Sequence, residues 1–105
     1  MRVISLQPIP NQVTTAVAQD NEYTVEIRYF RNLMYATIRL ETGEVVIGAV
    51  RCANLQWLLP WRRPGYGDGN FRFEDDNGQY PDYVNFGKTC RLVYYTASEI
   101  ADMEG

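Results

Sequence analysis

The side chains with the most chemical potential cluster between residues 52 and 90. Asp68-Gly69-Asn70 and Asp75-Asp76-Asn77-Gly78 bring together the hard oxygen donors that calcium prefers. Neither run fits a twelve-residue calcium loop, because the glutamate expected at its end is missing from both. Asp, Asn and Gly in such runs also serve turn conformation, and that is the expected role here. Glu74 and Asp76 are a carboxylate pair of the kind that hydrolyses glycosidic bonds, although neighbouring carboxylates more often line a solvated turn. Gly65-Tyr66-Gly67-Asp68-Gly69 resembles a phosphate cradle, but it lacks the lysine that would meet a phosphate and the strand-to-helix setting. Cys52 and Cys90 both lie in apolar, strand-like surroundings, where free buried thiols are expected. The chain contains no histidine, which excludes serine–histidine and cysteine–histidine catalysis and removes the commonest metal ligand. No metal or cofactor is expected.

The most unusual local group is Trp57, Trp61, Arg62, Arg63 and Tyr66. Aromatic rings mixed with arginine are the composition of protein hot spots and of single-stranded nucleic-acid platforms. Protein contact is the favoured reading; a core position for Trp57, with Trp61 covering the loop, is the alternative. Ten basic residues against thirteen acidic give a net charge of -3, so the chain lacks the general positive field that nucleic-acid binding exploits.

These residues have to be held by strands. Tyr23, Val25, Ile27 and Tyr29 alternate with Thr24, Glu26 and Arg28, the period of a half-buried strand. Phe30-Arg31-Asn32-Leu33 supplies a hairpin turn, since Asn tolerates positive φ. Met34, Ala36, Ile38 and Leu40 then alternate with Tyr35, Thr37 and Arg39. After the turn Glu41-Thr42-Gly43-Glu44, the run Val45-Val46-Ile47-Gly48-Ala49-Val50 reads as a central strand covered on both sides, completing a three-stranded antiparallel meander. Ahead of it, residues 1–6 and 12–19 form two more strands, separated by the Gln7-Pro8-Ile9-Pro10-Asn11-Gln12 elbow. Its two prolines fix φ and remove two donors. Asp20-Asn21 turns the chain into the meander. The five strands expected up to Cys52 are therefore 1–6, 12–19, 22–29, 33–41 and 44–52.

Beyond Cys52, the apolar run Leu55–Trp61 is a helical turn or a lid on the core, and Pro64 to Asn70 is loop. Phe71 to Glu74 and Cys90 to Tyr95 are strands. Thr96-Ala97-Ser98-Glu99 opens one or two helical turns with a Ser or Thr cap. The expected fold is one all-β domain over residues 1–105. It is a small antiparallel barrel or sandwich of about seven strands with a short C-terminal helical turn. No apolar run reaches the roughly 18 to 20 residues of a membrane span, and the start of the chain lacks a signal peptide's features. A soluble protein made in the cytoplasm is expected.

Ile4-Ser5-Leu6-Gln7-Pro8-Ile9-Pro10-Asn11-Gln12 resembles the opening motif of the small baseplate plug proteins of contractile-tailed bacteriophages, an apolar strand running into Leu-Gln-Pro-x-Pro-Asn-Gln. The likeness continues through Gly48 to Cys52, Leu58-Leu59-Pro60, Pro81-Asp82-Tyr83 with Phe86-Gly87, and Arg91 to Tyr95, so it covers nearly the whole chain. The tryptophans and the double arginine have no counterpart in the motif. The resemblance implies a non-enzymatic virion protein of a myovirus tail, made in the host bacterium. It would sit at the junction of tail tube and baseplate hub, in several copies about the axis. Its neighbours would be hub, tube, tape-measure and sheath-initiator proteins, with no membrane or nucleic acid. Docking candidates are Pro8, Pro10, Asn11, Trp57, Trp61, Arg62, Arg63, Tyr66, Tyr80, Tyr83 and Phe86. Two other classes compete: a small β-barrel binding single-stranded nucleic acid or oligosaccharide on its aromatic face, and a small hydrolase working through carboxylates.

Overall fold

The computed structural model describes residues 1–18, 21–59 and 69–104. Seven strands are seen among them: β1 (Arg2–Ile4), β2 (Gln12–Ala18), β3 (Asn21–Phe30), β4 (Leu33–Leu40), β5 (Val45–Arg51), β6 (Asn70–Asp75) and β7 (Cys90–Tyr95). A 3₁₀ turn at Tyr83–Asn85 precedes β7, and helix α1 (Ala97–Glu104) follows it. The strands make two antiparallel sheets, β2-β3-β4-β5 and β1-β7-β6, that do not close into a barrel. Of the two architectures expected, the protein adopts the sandwich.

The β3–β4 hairpin follows from the parity change in the sequence. Phe30 pairs with Leu33, and Arg31 and Asn32 both take positive φ (51° and 66°), the two-residue loop whose twist suits a hairpin. Tyr23, Val25 and Ile27 on β3, with Met34, Ala36 and Ile38 on β4, are thereby turned inward and buried. Phe71 and Phe73 of β6, with Leu92 and Tyr94 of β7, close on them from the other sheet; Tyr23 meets Phe71 edge to face at 5.3 Å.

β5 departs from the sequence reading. It is an edge strand, and Val45, Gly48 and Ala49 are exposed. Its register with β4 slips twice, and Ala49 adopts φ 46° with its N–H donating to Thr37 Oγ1 at 2.9 Å. A β-branched run satisfies the burial of a central strand, but the run ends in Gly48-Ala49, where the backbone bulges and turns the strand's free edge away from pairing. The strand covered on both faces is β7. Leu92 and Tyr94 face the main core, while Val93 and Tyr95 pack beneath Trp57 and Ile100 of α1.

α1 starts as a reciprocal cap. Thr96 N donates to Glu99 Oε1 (2.9 Å), and Glu99 N donates to Thr96 Oγ1 (3.3 Å). Glu99 also takes the N-terminal ammonium, which together with this cap holds its carboxyl below the usual carboxylate range. The helix is thus tied across the sheet to the strand that opens the chain.

The two thiols lie in the core without a bridge. Burial, and secondarily Cys90, pushes Cys52 up to about 12; burial followed by Asp75 pushes Cys90 up to about 11. Folding therefore favours the neutral thiols. Their contribution is complete below the unfolded thiol range and is lost as pH rises from about 9 towards 11 and 12. A thiol-specific colorimetric reagent at pH 8 is expected to modify neither cysteine in the native protein and both after urea unfolding. Rapid native modification would contradict this placement.

Candidate functional site

The proline elbow is held by the polar residues that follow it. Gln12 reaches back so that its Oε1 accepts from Gln7 N (3.0 Å) while its Nε2 donates to Gln7 O (2.7 Å) and Ile9 O (3.2 Å). One amide thus satisfies three backbone groups that the prolines leave without a ladder partner. Asn11 Oδ1 accepts from Tyr29 N at 3.0 Å and fixes the elbow to the end of β3. Pro8 is exposed and Pro10 half-buried, so the elbow presents a rigid, pre-ordered surface.

Strand register sorts the candidates between two ends of the sandwich. The elbow, the β3–β4 hairpin, the end of β5 and the segment between β6 and β7 share one end. There Tyr83 meets Tyr29 edge to face at 5.2 Å, and Tyr80, 63% exposed, lies under the Arg51 guanidinium at 4.7 Å. Phe86 belongs to the same segment, but it is 1% exposed and stacks on Phe73 at 5.8 Å, which makes it core and not surface. Trp61, Arg62, Arg63 and Tyr66 lie outside the described residues.

What is described is the neck from which their segment departs, at the opposite end. Segment 54–58 runs along the free edge of β6; Leu55 N donates to Phe73 O (2.8 Å) and Leu58 N to Phe71 O (2.9 Å). Leu59 is then gripped by Asn70, 1% exposed, whose Oδ1 accepts from Leu59 N (2.8 Å) and Phe71 N (2.8 Å) while its Nδ2 donates to Leu59 O (2.9 Å). The chain leaves and returns through one buried amide. Beside it Gly69 has no room for a side chain, since a Cβ there would stand 2.5 Å from Tyr95 O.

Trp57 is half-buried over the outer face of β6 and β7. It meets Tyr95 edge to face at 5.9 Å, and Arg72 lies 4.8 Å from its ring and 5.1 Å from the Tyr95 ring. Glu74 accepts from Arg72 Nε (3.0 Å) and from Tyr95 OH. Burial, then that carboxylate, raises the Tyr95 phenol above its ordinary value and keeps it a donor. Trp57 thus covers a small second core of Val93, Tyr95 and Ile100, the position that one of its two sequence readings expects.

Asp68 and the stretch Gly65-Tyr66-Gly67 also lie outside the described residues; the remaining chemical candidates among the described ones are occupied by structural work. Asp75 accepts from Asn77 N and Gln79 N (2.9 Å each), Asp76 pairs with Arg91 (2.9 Å), and Asn70 closes the neck. Gly78, at φ 69°, completes the turn. Among the described residues no group of three or more His, Cys, Asp or Glu is placed to hold a metal.

Residues 1–97 match the family described as cyanophage baseplate Pam3 plug gp18. The chain belongs to this family. None of the curated proteins compared with it matches. The resemblance seen in the opening motif is therefore borne out, and in this baseplate plug chain the motif has a physical meaning: its Asn and Gln are the side chains that lock the elbow. Sequence reasoning named the prolines and missed the holding role of Gln12, as well as the stacking of Arg31 on Phe30 (5.1 Å) and of Arg51 on Tyr80. Phe30-Arg31 was visible as an aromatic–arginine pair within a hairpin turn. Arg51 and Tyr80, 29 positions apart, gave no such signal.

Proposed function

We propose that this plug-family chain is a non-enzymatic structural piece of a contractile phage tail. It sits at the junction of tail tube and baseplate hub, in several copies around the axis, with hub, tube, tape-measure and sheath-initiator proteins as neighbours. The observation that carries the reading is the family match over residues 1–97. The architecture supports it. A small sandwich supplies a rigid block, with a pre-ordered elbow at one end and, at the other, a buried neck where Asn70 holds Leu59. Copies in a ring repeat a modest contact, so avidity exceeds what one small interface provides. Trp61, Arg62, Arg63 and Tyr66 are docking residues in this account, with Tyr80, Tyr83 and the elbow as a second set.

Two experiments test it. Deleting the gene is expected to yield particles with defective baseplates, rescued by the wild-type chain in trans; normal infectious particles without the chain would refute the reading. In this account Trp61 meets a partner, so Trp61→Ala is expected to change unfolding free energy by less than about 0.5 kcal/mol while lowering incorporation into particles severalfold. A Trp61→Ala chain that is markedly less stable would make Trp61 a core residue instead.

A further inference from the structure

The elbow end carries an unusual surface. Phe30 is 59% exposed and Tyr80 63%, with exposed Ile9 and Val84 on the same end. Both rings are covered by guanidinium groups, Arg31 at 5.1 Å from Phe30 and Arg51 at 4.7 Å from Tyr80. Lys88, the chain's single lysine, is exposed just before β7. Among the described residues no carboxylate lies within ion-pair distance of Arg31, Arg51 or Lys88. The acidic groups of this end are engaged within the chain: Asp75 in its turn, Asp76 with Arg91, and Asp82 capping the 3₁₀ turn through Val84 N. Among the described residues the opposite end carries Glu22, Glu41, Glu44 and Asp102 where the strands and helix terminate, together with Arg2 at the start of β1. Among the described residues, Arg31, Arg51 and Lys88 thus stand at the elbow end without a carboxylate partner, beside its exposed rings.

We propose that the elbow end docks onto an acidic protein surface of a neighbouring baseplate component. Phe30 and Tyr80 enter its apolar centre, and Arg31, Arg51 and Lys88 meet its carboxylates. The inference rests on the assembly reading above and adds the chemistry of one neighbour. Aromatic residues and arginine are the side chains enriched where interface energy concentrates. A guanidinium stacked on a ring is already ordered and keeps its edge donors free for a bidentate carboxylate. A nucleic-acid strand matches the surface less well, since the exposed Ile9 and Val84 offer nothing to phosphate.

Zero-length carbodiimide cross-linking of purified particles, followed by peptide mass spectrometry, tests the proposal directly, because it joins amines only to carboxylates in contact. The expected result is Lys88 linked to an aspartate or glutamate of another baseplate protein. The Arg31→Glu, Arg51→Glu double variant is expected to fold normally and to enter particles about tenfold less well. If the chain is present in particles, yet Lys88 links to no other protein and the double variant incorporates as wild type, the proposal is overturned while the assembly reading stands. If the chain is absent from particles, both fall. Binding of an oligothymidylate at about 50 mM salt, abolished by the double variant and unaccompanied by a Lys88 protein link, overturns it in favour of nucleic acid.

Discussion

Gly69→Ala is expected to destabilise the protein by more than about 3 kcal/mol, a large part of the roughly 5–15 kcal/mol that holds a small domain together. A Cβ at this position would stand 2.0 Å from Tyr94 Oη, 2.4 Å from its Cζ and 2.5 Å from the Tyr95 carbonyl oxygen. Tyr94 cannot swing aside cheaply: it is 3% exposed, and its ring packs edge-on against Phe71 at 4.9 Å. The carbonyl belongs to β7, the strand at the centre of its sheet, so moving it disturbs the pairing with both β1 and β6. Urea unfolding followed by tryptophan fluorescence measures the effect. A Gly69→Ala chain within about 1 kcal/mol of wild type would mean that the packing of Gly69 against Tyr94 and Tyr95 is looser than these distances imply.

Phe86→Ala is expected to cost about 3–5 kcal/mol, the range for truncating a buried aromatic side chain. The ring is 1% exposed, stacks on Phe73 with 18° between planes, and lies in the cluster that joins the two sheets. Loss of the ring leaves a cavity that the flanking strands, tied by β6–β7 pairing, close only in part. The same unfolding measurement decides the matter. Unchanged stability combined with loss of incorporation into particles would return Phe86 to the set of partner-facing residues that the sequence motif suggests.

Much of the fold was legible because single side-chain periodicities decide it. The switch of parity across Arg31-Asn32 located the β3–β4 hairpin, and Thr96 with Glu99 located the helix start. Where two physical effects compete, the sequence was ambiguous. The Val45 to Val50 run has the apolarity of a buried strand, yet Ala49 at positive φ breaks its register and leaves it at the sheet edge. On β2 the inward positions are Thr14 and Ala16, and the more apolar Val13 and Val17 face out, because pairing with Val25 and Tyr23 on β3 fixes the register. The elbow was legible through its prolines, but Gln12 was not, since its role exists only once the chain doubles back on Gln7. The division of candidate residues between two ends follows from strand order, which one-dimensional pattern does not carry. Phe86 and Tyr83 show the limit plainly: three residues apart, one fills the core and the other lies half-exposed against Tyr29.

The central claim is that this chain is built into the phage tail as a non-catalytic part. Quantitative peptide mass spectrometry of gradient-purified, washed particles tests it most directly. The account predicts peptides of this chain in a fixed ratio to the tube and hub proteins through successive washes. Their absence from intact, infectious particles would contradict it.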